Sequence, residues 1–500
     1  MTGPETIGQK ERGLIIGASL LALFLGALDA LVMSAAMPTI IAELGGMALY
    51  AWVYSAYFLA RAVSLPMFGK LSDLYPAKVL MIISISLFVL ASAAAGVSPS
   101  MGVLVGARVF QGIGAGGIFA LVYVVLTEVS SSEQRGKTLS LASAIWGISS
   151  VIGPTLGGFM VTYLSWRWIF FINLPLGFLS LAGIAFFFKE FRQKDKQIDL
   201  DWAGITCFSG AVLGGLTLVM TGGREIPWSS SFGVFLIVMT LVLAVGFVFA
   251  ERRAIDPFLD FTFFKYPGFA LGNAITFGAS LSMFALFAYA PLFLQGALSQ
   301  SPMVVGYAML SLSLGWSLGS LAMGRVVNLF GGKNASLAGS LLMMAGAFLC
   351  LGFDRGTSLY YCFFVFILTG LGMGFITLST LLIVQDSVPP KDLGIATSFH
   401  QFARTLGGTV GVGICGAVVT SRLFKGLETQ ELGMPAEMAN QIRDSIAQLF
   451  QPEFQAQIPP TILDLLKNAV LEGVWAAFAV VATVTVLGFL LSVFLPGKAD

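Results

Sequence analysis

Fourteen stretches of this chain are apolar from end to end, at residues 14–38, 50–68, 78–96, 102–127, 138–163, 168–188, 202–221, 231–250, 269–294, 303–329, 335–352, 359–384, 394–421 and 470–494. Each is about 18 to 28 residues long, and at ~1.5 Å rise per residue a helix of that length crosses the ~30 Å hydrocarbon slab of a bilayer. In lipid every backbone polar group must be satisfied inside its own segment, so such a chain is expected to be an all-α integral membrane protein. Charge points the same way: 11% of residues are charged, against roughly 25% in a soluble domain. A soluble enzyme is excluded. A net charge of +1 gives no basic field for nucleic acid.

The first apolar run is too long for the core of a signal peptide and reads as the first span. Lys10 and Arg12 precede it, and Lys and Arg concentrate in alternate loops, as at Lys70, Lys78, Arg135 and Lys137. With an even number of spans this bias predicts both termini in the cytoplasm, and a multi-pass protein of a bacterial cytoplasmic (inner) membrane. All four cysteines fall within spans, which leaves no disulfide framework or metal spacing.

The chain repeats itself. Gly69, Asp73 and Lys78 after the second span are echoed by Gly324, Asn328 and Lys333. Gln111, Gly112, Gly114 and Gly116 are echoed by Thr369, Gly370, Gly372 and Gly374, and Leu156, Gly157 and Gly158 by Leu406, Gly407 and Gly408. This predicts an N-terminal six-helix bundle over 1–188 and a C-terminal six-helix bundle over 267–500. Two additional spans sit in a linker over 189–266, and a long outer loop runs over 422–469. Two parallel repeats are what an alternating-access transporter uses, with its site between them near the midplane. Glycines such as Gly112, Gly116, Gly153 and Gly157 sit at the spacing of close helix packing.

Only Asp29, Arg61, Arg108 and Arg404 bring charge deep into the spans, where an ionised side chain costs about 3 kcal/mol or more and faces a wet cavity or a partner. Asp29 is the only acid among them. It lies about 13 Å from the outer end of its helix, Arg108 about 9 Å and Arg61 about 16 Å, so either arginine can meet it if the helices are neighbours. A carboxylate that alternates between pairing with a cation and taking a proton is the minimum part for proton coupling; a permanent Asp29–Arg108 bridge is the structural alternative. The charge excess of Arg61 and Arg404 predicts a cavity that favours an anionic or zwitterionic amphiphile, unless each is capped by carbonyls or snorkels to water. His400, the only histidine, shares a helical face with Arg404 and is a substrate-binding or relay candidate. Tyr57, Gln111, Tyr123, Trp146 and Tyr289, with Trp52 and Gln295, are the other cavity candidates. The glycine runs lie within spans and no phosphate-binding lysine follows, so no nucleotide, metal or other cofactor is expected.

Five motifs in order carry a family resemblance: Leu28-Asp29 to Pro38; Gly69 to Lys78; Arg108 to Gly112; Gly153-Pro154 to Gly157-Gly158; and Trp166 to Gly177. Over nearly its whole length the chain resembles the 14-span drug:proton antiporters of the major facilitator superfamily. The resemblance implies the major facilitator fold, a proton role for Arg108, and structural or conformational roles for Gly69, Asp73, Lys78, Gly153, Pro154, Gly157 and Gly158. Leu74, Pro76 and Ala77 depart from the loop motif and predict a weaker latch there. The expected function is proton-coupled export of amphipathic compounds, as in multidrug efflux. A lipid or glycolipid exporter of the same fold is the alternative, and a membrane sensor that does not transport is a more distant one. Expected partners are a small amphipathic substrate or lipid, protons and the bilayer.

Overall fold

The computed structural model describes residues 8–33, 36–44, 49–189, 201–222, 226–254, 257–300, 302–429 and 460–497. Its regular structure is helical: α1 (Gln9–Val32), α2 (Met37–Leu44), α3 (Tyr50–Leu74), α4 (Ala77–Gly96), α5 (Met101–Glu128), α6 (Ser132–Tyr163), α7 (Trp168–Phe171), α8 (Asn173–Phe187), α9 (Trp202–Thr221), α10 (Ser231–Arg253), α11 (Pro267–Leu292), α12 (Pro302–Cys350), α13 (Leu359–Asp386), α14 (Leu393–Thr429) and α15 (Pro460–Val493). Among the described residues twelve segments are long and apolar enough to cross a membrane. Two further expected spans, α3 and α6, have 25 and 32 residues but fall outside those twelve. Arg61, Lys70 and Asp73 make α3 more polar.

Several expected boundaries move. The spans expected at 303–329 and 335–352 form one helix broken only at Gly331, whose φ of 76° is open to glycine and costly for other residues. The last two helices run on to Thr429 and start from Pro460, so both are longer than their apolar stretches. Most of the long loop, 430–459, and linker residues 190–200 lie outside the described residues.

Glycine sets how closely the helices approach. A side chain at Gly112 would collide with the Tyr57 carbonyl of α3, and one at Gly114 would meet the α4 backbone at Phe88. The second copy is built alike: Gly370 lies against the Leu312 carbonyl, Gly374 against that of Trp316 and Gly372 against that of Gly339. The residues predicted as a repeat from letters alone thus make equivalent contacts. Such backbone approach is what holds helices together in lipid, where apolar side chains gain little by meeting each other rather than acyl chains.

One large apolar core gathers side chains of α1, α3, α4 and α5, and another those of α11, α12, α13 and α15. Between them α3 packs on α14, and α6 on α12. α9 lies on α10 and also touches α3 and α14. α10 leaves Phe232, Phe235, Leu241 and Phe249 exposed, an apolar surface suited to lipid.

Candidate functional site

Helices α1, α4, α5 and α8 converge on one carboxylate. Asp29 Oδ2 lies 2.6 Å from Arg108 Nη1. Its Oδ1 accepts hydrogen bonds from Gln111 Nε2 at 2.8 Å and Asn173 Nδ2 at 3.2 Å. Both amides also donate to Ser92 Oγ. The arginine donates further to Gln111 Oε1 at 2.7 Å and to the Val53 carbonyl at 3.3 Å, and its guanidinium lies 4.1 Å from the centre of the Tyr57 ring. Asp29 and Arg108 are each only 1% exposed, while Gln111, Asn173 and Ser92 are fully buried. The network is buried and its charge balanced, the condition in which a buried pair is tolerated. Of the two arginines within reach by depth, α5 supplies the partner. Asn173 and Ser92 were not singled out from sequence; Asn173 stands in the Trp166–Gly177 motif, and an amide entering an apolar helix was the available signal.

A separate cavity of ≈ 340 Å³ lies between the repeats, walled by α3, α6, α9, α11, α12 and α14. Arg61 and Arg404 line it with Trp146, Trp316, Phe58 and Phe284. Arg61 stacks near Phe58 at 4.8 Å and Phe119 at 5.0 Å. Arg404 lies about equally far from Tyr123, Trp146 and Trp316, at 6.0, 5.9 and 5.9 Å. Arg404 is 11 residues from the start of α14, about 17 Å along its axis, so the cavity reaches mid-depth.

Of the residues expected to bind substrate, Arg61, Trp146 and Arg404 line this space and Tyr123 stands behind Arg404. Tyr57 and Gln111 belong to the Asp29 network instead, with Tyr57 Oη donating to the Gly26 carbonyl. Tyr289 donates to the Val412 carbonyl. His400 is fully buried, with Nε2 at 2.8 Å from Thr276 Oγ1 and 3.0 Å from Thr380 Oγ1. Trp316 was missed, although the repeat register that aligns Gly69 with Gly324 also aligns Arg61 with Trp316.

At the end of the molecule holding the Gly69–Lys78 loop, the repeats are joined. Asp73 accepts hydrogen bonds from the Gly394 and Ile395 amides, both at 2.6 Å, placing a carboxylate at the positive end of α14. Gly69 lies directly against Ser398, Arg135 pairs with Asp386 at 3.1 Å, and Gln385 donates to Thr127 at 3.1 Å. At the contact predicted to be weak, Asp73 joins the repeats through the backbone amides of α14. Lys78 opens α4. Gly153 packs on Leu31 of α1, and a side chain at Gly158 would meet open space. Gly157 is buried on α6, and the side chain of Pro154 lies outside the described residues.

The family model described as Major Facilitator Superfamily matches residues 19–201 and 202–412. The chain is 31% identical to the Multidrug transporter protein MdtP of Bacillus subtilis, across 97% of this chain and 93% of that one. It is 28% identical to Multidrug resistance protein 3 of the same bacterium, across 99% and 97%. Among solved structures it resembles the human organic anion transporter MFSD10, with a TM-score of 0.64 over 96% of this chain and 99% of that one. Their sequence identity is 14%, so that likeness concerns the fold.

Proposed function

The chain belongs to the Major Facilitator Superfamily, a family of transporters rather than enzymes, and on that premise we propose that it is a proton-coupled exporter of amphipathic compounds. Relatives named as a multidrug transporter and a multidrug resistance protein support multidrug efflux as its task. We read α3 and α6 as spans beside the twelve apolar segments, giving fourteen. In this reading residues 1–188 and 267–500 form the two six-helix bundles, 189–266 adds two helices, and both termini face the cytoplasm. The Asp73 latch then closes the cytoplasmic side, leaving the cavity in an outward-facing state.

The observation that carries proton coupling is the buried Asp29–Arg108 pair. In this state the carboxylate is buried and accepts hydrogen bonds from three donors. A proton on Asp29 leaves Arg108 as an unbalanced buried charge, and breaking such a pair from one side costs about 3–5 kcal/mol. That is close to the ~5.5 kcal/mol that moves a two-state equilibrium from one extreme to the other. Protonation therefore drives the molecule toward the conformation in which α1 and α5 admit water. Glu251 is also buried, at 5% exposure, but it sits at the end of α10 and accepts from the Leu259 amide at 3.1 Å, away from the cavity.

The test is transport in proteoliposomes under an imposed pH gradient. Wild type concentrates a fluorescent amphiphile, and Asp29→Asn removes the gradient-driven component; a mutant that keeps it overturns the proton assignment.

A further inference from the structure

We propose that the central cavity is an anion-recognition site, taking amphiphiles whose head is a carboxylate, sulfonate or phosphate and whose body is apolar. This rests on the transport reading above and specifies the substrate class of the same cavity.

Five observations converge. Arg61 and Arg404 both line the cavity, and neither has an ion-pair partner among the described residues. Arg61 is 8% exposed and meets Tyr57, yet among the described residues its Nε and Nη1 have no hydrogen-bond partner. The indole N–H groups of Trp146 and Trp316, on the same walls, also lack an acceptor. Among the described residues no carboxylate lines the space. Asp29, the acid deep in α1 that could have neutralised an arginine, is committed to Arg108.

The cavity thus offers charged and neutral donors together and no acid to receive a cation. Buried donors left without acceptors are uncommon in folded proteins and call for a partner. A guanidinium matches the oxygens of a carboxylate, sulfonate or phosphate in geometry as well as charge. Phe58 and Phe284 supply the apolar surface for the rest of the molecule.

The two cations also stand on opposite repeats, Arg61 on α3 and Arg404 on α14. When the repeats close around the cavity, two like charges are brought into a drier space, and an anion between them removes the repulsion. Loading by an anion thereby favours occlusion, whereas a cation of equal size opposes it. The expected discrimination follows from charge sign rather than from shape.

The experiment compares pyrenebutyrate with its quaternary-ammonium counterpart, pyrenebutyl-trimethylammonium. Binding to the full-length protein in uncharged detergent is read by energy transfer from tryptophan to pyrene, without any gradient. Wild type is expected to bind the carboxylate at least roughly tenfold more tightly, the scale of one charge-assisted hydrogen bond. Arg61→Gln and Arg404→Gln each lose most of that preference, while Arg61→Lys retains part of it. Equal or tighter binding of the ammonium probe by wild type overturns the proposal, as does a preference unchanged in both glutamine variants. If a variant does not fold, as judged by gel filtration and melting, the wild-type comparison decides alone. Displacement of pyrenebutyrate by short-chain phosphatidylglycerol identifies a lipid headgroup as ligand, and displacement only by salicylate a soluble carboxylate; either supports anion recognition. Because no gradient is applied, a failure of proton coupling leaves this outcome unaffected.

Discussion

Four residues before the first glycine of its packing run, α5 carries Arg108, tied to Asp29 among buried amides. At the matching place in α13 stands Phe366, fully buried, with Phe353 at 6.0 Å. Phe353 in turn stacks on Phe293 at 5.0 Å and meets Phe478 at 5.9 Å. The glycines around both positions pack in the same way, so the two helices have the same architectural task. One copy performs it with phenylalanine. A charged network is therefore not what this fold needs at that position, and buried pairs replaced by apolar groups are often neutral or stabilising. The persistence of charge in the first copy favours a functional over a merely structural role for Asp29 and Arg108.

The largest expected effect comes from unbalancing that network. Asp29→Asn should lower stability by about 3–5 kcal/mol, read by thermal unfolding in detergent. Making the first copy resemble the second, by Asp29→Leu with Arg108→Met, should restore most of that stability without restoring gradient-driven transport. A double variant as unstable as the single one would break the comparison.

Next come the shared glycines. Gly112→Ala and Gly370→Ala each force a methyl group against a backbone carbonyl, a kind of overpacking that costs about 1–3 kcal/mol. The two losses should be similar in melting experiments, because this device is common to both copies whereas the charge is not.

A smaller effect is expected at the Asp73 latch. Asp73→Ala removes a helix cap worth about 1 kcal/mol and should shift the population toward opening at that end. The readout is faster maleimide labelling of a cysteine placed at Ser398, which lies under Gly69.

The smallest effect concerns the opposite ends of the two copies, where exposed ion pairs join Glu43 to Arg167 and Arg355 to Asp464. Hydrogen bonds from Arg167 and then Trp166 hold the Glu43 carboxyl below its ordinary value. A lowered carboxylate contributes stability above its unfolded value and loses it as pH falls through the folded one. Glu43→Gln should therefore lower melting slightly near neutral pH, by the small amount an exposed pair contributes, and the difference from wild type should vanish as pH falls through the acid range.

Much of this organisation was legible in the sequence. The repeat showed in its glycines because backbone contact leaves no alternative residue, and Asp29 stood out because lipid makes a buried acid expensive. The partner choice was only half legible: depth along a helix placed both Arg61 and Arg108 within reach, and only the packing of α5 on α1 and α3 separates them. Trp316 and Phe284 look like any aromatic in an apolar span, since a cavity wall and a lipid face draw on the same side chains. Asp73 found its partner in the backbone amides of Gly394 and Ile395, which no side-chain pattern marks.

The central claim is that Asp29 converts proton binding into movement of the repeats. It is tested most directly by comparing two modes in proteoliposomes, concentration of pyrenebutyrate under a pH gradient and exchange of the same probe at equal pH. Asp29→Asn should keep equal-pH exchange and fail to concentrate the probe. Concentration by the mutant to the wild-type level, at the same gradient, would contradict the account.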